Sequence, residues 1–197
     1  LILATAVEPA NVREHEPAPR LLEAAAKHGE IAIVDIDRGY LPSPAIIELH
    51  RAGTRINSRP WVPTNKGLFT KEDFLLNLRR GEVTCPSGKT AKAVDSGKAT
   101  FSVDDCSKCK LKALCTTASH RSVTLHPAEH LLIELRARKA TRSGRAELRK
   151  RVCVEHKLAR VGATQGDTAR YRGARKNELD LNRSAAIVNL FEVALRR

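Results

Sequence analysis

The apolar positions of the first third of the chain follow two alternating periods. Residues 1–7 ("LILATAV") are apolar and partly β-branched, the mark of a strand, and Pro9 and Asn11 break the run. Residues 19–28 ("PRLLEAAAKH") have helical spacing and are followed by Gly29. Residues 31–36 are a short continuous apolar run that predicts a buried strand, and residues 44–51, with Pro44 at the start and Gly53 just past the end, predict a second helix. Strand, helix, strand, helix predicts an α/β sheet covered by helices.

From residue 65 the pattern changes. "FLLNLRRGEVTCPSGKT" reads as two short strands about Arg79, Arg80 and Gly81, with a second turn at Pro86 and Gly88. Short β segments are also predicted at residues 100–103 and 121–125, so residues 65–125 read as an all-β insert. Helical patterns return at 127–139 and 143–161, and a final amphipathic helix is predicted at 182–196. No internal repeat or low-complexity tract is visible. No uninterrupted apolar stretch approaches the roughly 18 residues that cross a bilayer, and no secretion signal opens the chain. A membrane role is not expected, and a cytoplasmic location is.

Charge sharpens the picture. The 197 residues carry 35 Lys and Arg against 22 Asp and Glu, a formal net charge of +13. An excess of this size creates a field that attracts polyanions, which makes nucleic acid the first partner to consider. Residues 136–151 alone hold eight Lys or Arg and one acid, a run that also suits a solvated helix face.

Against this background two acids stand out. Asp35 and Asp37 end the strand of residues 31–36, and active groups in parallel sheets collect just beyond the carboxyl ends of strands. Period two directs both to one side, where one could bind a cation; the alternative is that both open the loop before Pro42 and engage nearby amides. Farther on, at about 100° per residue, Leu148, Val152, Glu155 and Ala159 share one arc of the predicted 143–161 helix, which places Glu155 inside an apolar stripe. A carboxylate there needs a partner, either Arg151 one turn earlier or a divalent ion shared with an aspartate. Oxygen ligands of this kind suit Mg²⁺ or Mn²⁺, the ions of phosphoryl transfer.

Cys106, Cys109 and Cys115 give C-x2-C-x5-C, and Cys85 in "TCPSG" could add a fourth thiolate. Four such ligands would close a zinc tetrahedron; buried free thiols and a redox role are the alternatives. Cys153 reads as packing. His120, His126 and His130 match no zinc spacing, and neither a nucleotide-binding glycine loop nor a Gly-x-Ser-x-Gly turn is present.

Taken in order, "AVEPANVREHE", "VDIDRGYLPSP", "EVTCPSGKT", "CSKCKLKALCT" and "RVCVEHKLARVGATQGDTARYRGARKNELDLNRSAAIVNL" resemble bacterial insertion-sequence transposases of the DDE class, of the type with a cysteine-containing insert before the final acid. The resemblance covers almost the whole chain. It implies an incomplete ribonuclease-H-like core at residues 1–64 and 126–197 around a β-rich insert at 65–125, with two Asp and one Glu binding two divalent ions for DNA strand cleavage and strand transfer. Carried onto this sequence, the second Asp is Asp37 and the Glu is Glu155. The first Asp is expected upstream of "LILATAVEPAN", and with a chain that lacks Met throughout, this suggests a C-terminal piece of a longer protein, inactive alone. Arg151, Arg170, Tyr171, Arg172, Arg175 and Lys176 resemble the family's basic positions and are expected to contact DNA, on which the protein is expected to self-associate. For "ARYRGARKN" the plain alternative is a solvent loop. A non-catalytic, zinc-containing nucleic-acid-binding module is the competing function.

Overall fold

A computed structural model describes residues 1–95, 97–166 and 168–195. In chain order the elements are α1 (Ala18–Ala26), β1 (Ile33–Asp35), α2 (Pro44–Arg51), β2 (Arg55–Asn57), β3 (Leu75–Asn77), β4 (Glu82–Thr84), β5 (Thr90–Lys92), β6 (Lys98–Thr100), α3 (Val103–Ser107), α4 (Lys112–Cys115), β7 (Ser122–Thr124), α5 (Glu129–Ala140), α6 (Arg142–Arg149), α7 (Val152–Gln165) and α8 (Ala174–Ala194). The fold is mixed α/β. It divides into two compact units, Leu1–Arg59 with Leu135–Arg197, and Pro60–Glu134.

In the first unit, β1 and β2 pair in parallel, Ile33 opposite Arg55 and Asp35 opposite Asn57, with α2 as the crossover. Sequence dictates how α2 stops. Gly53, at φ 97°, lets its own N–H reach the His50 carbonyl (3.1 Å) while Thr54 N–H reaches Leu49 (3.0 Å), a Schellman closure that turns the chain directly into β2. Ile36, Leu41, Ile46 and Ile56 are buried around this pair. Arg138 from α5 donates to the Ile56 carbonyl (2.7 Å) and to Asn57 Oδ1 (3.1 Å), and Glu147 from α6 is bonded to Arg55 and Asn57.

Three local expectations change. Residues 1–7 form no strand: Ile2 and Asn189 exchange backbone-to-amide hydrogen bonds (2.7 and 2.8 Å), and Thr5 Oγ1 donates to Asn182 Oδ1 (2.6 Å), so side chains of α8 bind the segment that a neighbouring strand would otherwise pair. The helix predicted across 143–161 is two helices, because Lys150, Cys153 and Val154 each close i→i−3 bonds (2.9 to 3.3 Å) in a tight turn at Arg151. That turn changes the phase of everything after it. The last helix begins at Ala174, since the polar start "ARKNELD" buries a polar face of Asn177, Asp180 and Ser184 beside Ala185 and Val188. α7 packs against α8.

The second unit joins the meander β3–β4–β5 to the antiparallel pair β6–β7, whose connection carries α3 and α4, through an Ala93–Ala99 bridge. Phe74, Val83, Ala91, Ala99, Phe101 and Val123 form its core, with the Phe74 and Phe101 rings 5.9 Å apart. Two short helices interrupt the predicted all-β pattern. Ser102 starts the first by accepting from Asp105 N–H at 3.0 Å, so Val103, expected in a strand, opens α3 instead. Among the described residues no helix is long and apolar enough to cross a membrane.

Candidate functional site

The carboxyl end of β1 opens into a cleft of about 610 Å³ in the first unit. Asp35, Asp37 and Glu155 all line it, and so do Glu14, Arg59 and Arg151. The two acids that the sequence singles out, far apart along the chain, therefore face one space. Asp37 has the extended backbone of a cap (φ −74°, ψ 156°), and its Oδ1 accepts from Arg38 N–H at 2.8 Å. One carboxylate oxygen thus starts the Arg38–Tyr40 turn, as the loop-opening alternative proposes, while the side chain stays exposed toward the cleft.

Glu155 does not sit in a buried stripe. It is exposed, on the first full turn of α7, and Val152, Val154 and Leu158 beside it are exposed as well. The tight turn at Arg151 interrupts the helix, so the stripe extrapolated from Leu148 does not carry through it, and Val154 and Leu158 border the cleft with Glu155. Glu155 also lies near the positive N-terminal end of α7, where a carboxylate is favoured.

Arg151 ties these parts together. Its side chain is only 18% exposed; Nη1 donates to the Ile36 carbonyl at 3.1 Å and lies 3.9 Å from Asp37 Oδ1. The guanidinium fastens the start of α7 to the end of β1, which brings Glu155 and Asp37 to one cleft. It differs in this from Arg170, Tyr171, Arg172, Arg175 and Lys176, all of which are exposed, on the loop after α7 and the first turn of α8.

Glu14 and Asn177 carry no signal that the sequence reading used. Glu14 packs its carboxylate so close to Gly39 that a Cβ there would lie 2.6 Å from Oε2. The Tyr40 hydroxyl next to it is held above its ordinary pKa by burial first, then by the charges of Glu14 and Asp37. Asn177, 8% exposed, bonds Tyr171 N–H (3.2 Å), the Tyr171 carbonyl (2.6 Å) and the Gly173 carbonyl (2.9 Å), so it fixes the basic loop from beneath. Its spacing with Ser184 and Val188 on one helix face is the clue that could have found it.

Carboxylate oxygens suit a hard divalent cation, and Asp37 with Glu155 could supply part of its shell, water and substrate oxygens the rest. Among the described residues, no group of three or more His, Cys, Asp and Glu side chains converges to hold an ion.

The cysteines lie in the other unit. Cys85, Cys106, Cys109 and Cys115 line one cavity of about 30 Å³, each half-buried and each a free thiol; Cys153 is exposed on α7. Burial raises the Cys115 pKa, Arg121 opposes that, and the other three cysteines add to it.

The family model described as a transposase DDE domain matches residues 84–194, more than half of the chain. The match includes Glu155, the four clustered cysteines and the basic loop, and Asp37 lies before it. No curated protein and no solved structure matches.

Proposed function

Because the chain belongs to the family of transposase DDE domains, we propose that Asp37 and Glu155 serve metal-dependent cleavage and strand transfer of DNA in an intact transposase. One observation carries this reading: the two acids line a single cleft at the end of a parallel strand, with Arg151 fastening their elements together. Parallel β1 and β2 with their crossover helix support a ribonuclease-H-like core at 1–64 and 126–197 around a cysteine-bearing insert at 65–125; the compact units themselves divide at Pro60 and Leu135.

Mg²⁺ or Mn²⁺ held by these carboxylates would activate the attacking oxygen and offset charge on the leaving one. The protein's own groups do the rest. Arg151 keeps the two acids at one place, and Arg170, Arg172, Arg175 and Lys176, on the loop that Asn177 fixes, hold DNA phosphates as fork and point charges. Tyr171 offers an exposed ring and hydroxyl on the same loop. Self-association on DNA would bring two transposon ends together.

The test is strand cleavage by the full-length protein carrying Asp37→Asn or Glu155→Gln. Cleavage disappears while DNA binding persists. The competing reading, a non-catalytic nucleic-acid-binding module built on zinc, draws on the four cysteines that share one cavity; it requires both variants to cleave as the parent does and metal removal to abolish DNA binding.

A further inference from the structure

We propose that Cys85, Cys106, Cys109 and Cys115 are the four ligands of a structural zinc ion that closes the core of the Pro60–Glu134 unit, independently of the carboxylate cleft. The four thiols come from two separate segments onto one small cavity. Cys85 follows β4 in a tight turn, with its N–H on the Lys89 carbonyl (2.8 Å) and the Gly88 N–H on its own carbonyl (2.8 Å). The other three come from the helical segment of α3 and α4, where Cys109 N–H meets the Cys106 carbonyl at 3.3 Å. A hairpin turn facing a C-x2-C turn is how tetrahedral zinc is normally gripped from two sides. Cys85, Cys106 and Cys115 also pack against the core of the unit, so an ion held there would tie the turn after β4 to that core.

The wall of the cavity fits a charged thiolate cluster better than it fits neutral thiols. Zinc with four thiolates carries a net charge of −2, and Lys89, Lys112 and Arg121 line the space against one carboxylate, Asp105, which pairs with Lys89 at 3.0 Å. Arg121 also has a buried Nε–H with no acceptor, although its Nη2 donates to the Phe69 carbonyl at 3.1 Å. A metal-bound sulfur would take that proton as an acceptor, and Ser87 Oγ, 3.1 Å from Cys85 Sγ, supplies a second donor. The thiols as placed do not converge to ligand distance; rotation about their Cα–Cβ bonds on an entering ion is the adjustment the site requires. Binding then releases four thiol protons, one for each Zn–S bond formed. A unit with a core of six buried residues gains most from such a cross-link.

The experiment measures metal and thiols on the full-length protein purified without added zinc. The expected result is one zinc per chain, four thiols that resist a mild thiol reagent until a chelator is present, and, after exchange to Co²⁺, the intense sulfur-to-metal and d–d bands of a four-thiolate tetrahedron. Cys85→Ser and Cys109→Ser each lose most of the zinc, and Asp37→Asn keeps it. Thiols that titrate freely with no bound metal, a disulfide within the cluster, or a Co²⁺ spectrum with oxygen or nitrogen ligands would overturn the assignment. The spectrum is read on the unaltered protein, so misfolding of the cysteine variants does not protect the idea.

Discussion

Replacing Arg151 by Met keeps an apolar stem of similar length and removes the guanidinium that joins α7 to β1. The lost bond to the Ile36 carbonyl is a part-buried, charged-donor hydrogen bond at 3.1 Å, and such bonds contribute about 1.5–3 kcal/mol. The Asp37 carboxylate stands 3.9 Å away and is 59% exposed, so screening limits its share to roughly 0.5 kcal/mol. The sum is about 2–3.5 kcal/mol. Hydrogen exchange in the full-length protein reads it locally, at the Ile36 amide bonded to Asn57 (2.9 Å) and the Tyr40 amide bonded to Asp37 (3.0 Å). Protection there should fall by roughly 30- to 300-fold, at about 1.4 kcal/mol per decade. Arg151→Lys should restore part of it, since an ammonium can reach one carbonyl but lacks the planar fork. Cleavage should fall with protection, because Glu155 and Asp37 would no longer be held together. Unchanged protection in Arg151→Met would mean that the guanidinium does not hold α7 to β1, and Glu155 would then owe its place to the packing of α7 on α8.

Two further outcomes follow from charge. Burial, the largest cause, depresses the His126 pKa, with Lys71 adding and Glu129 opposing; Nδ1, accepting from Ala128 N–H at 3.0 Å, is the unprotonated nitrogen. The unfolded chain then takes up a proton first, so stability is complete above about pH 6.5 and falls as pH drops below it toward the lower folded value. Urea midpoints at pH 7.5 and pH 5 should differ more for the parent than for His126→Asn; equal differences would contradict this. On DNA, Ala at Arg170, Arg172, Arg175 or Lys176 should each flatten the slope of log K against log salt by about 0.9, while Tyr171→Ala should leave the slope alone; a slope unchanged by all four would remove the loop from the interface.

What the sequence makes legible is what Gly, Pro and strong chemistry punctuate. Gly53 announces the end of α2, and the run before Asp35 announces β1. β2 is three residues, Arg55–Asn57, too short for a period to register, although the glycine closure leads straight into it. α8 is the opposite case: its first two turns look solvated because their buried face is polar, and only the partners of Asn177 reveal why. α3 and α4 escape a reading by periodicity because each is a single turn or little more, fixed by the Ser102 cap and the Cys109 turn. The sequence reading brings Asp37 and Glu155 to one place, and both line one cleft; what it misses is the break at Arg151 and the exposure of Glu155, since it placed that residue in the apolar stripe of a continuous helix. Glu14 is silent for a similar reason: it reaches the cleft through contact with Gly39, a neighbour in space only.

In the function proposed above, Asp37 and Glu155 share one divalent ion. Titrating Mn²⁺ into the full-length protein on DNA, followed by electron paramagnetic resonance, tests it without relying on turnover. Asp37→Asn and Glu155→Gln should each weaken the tightest Mn²⁺ site by at least about tenfold, roughly 1.4 kcal/mol, and the double variant should lose little more than either alone. Mn²⁺ bound equally well by both single variants, or losses that simply add, would contradict it.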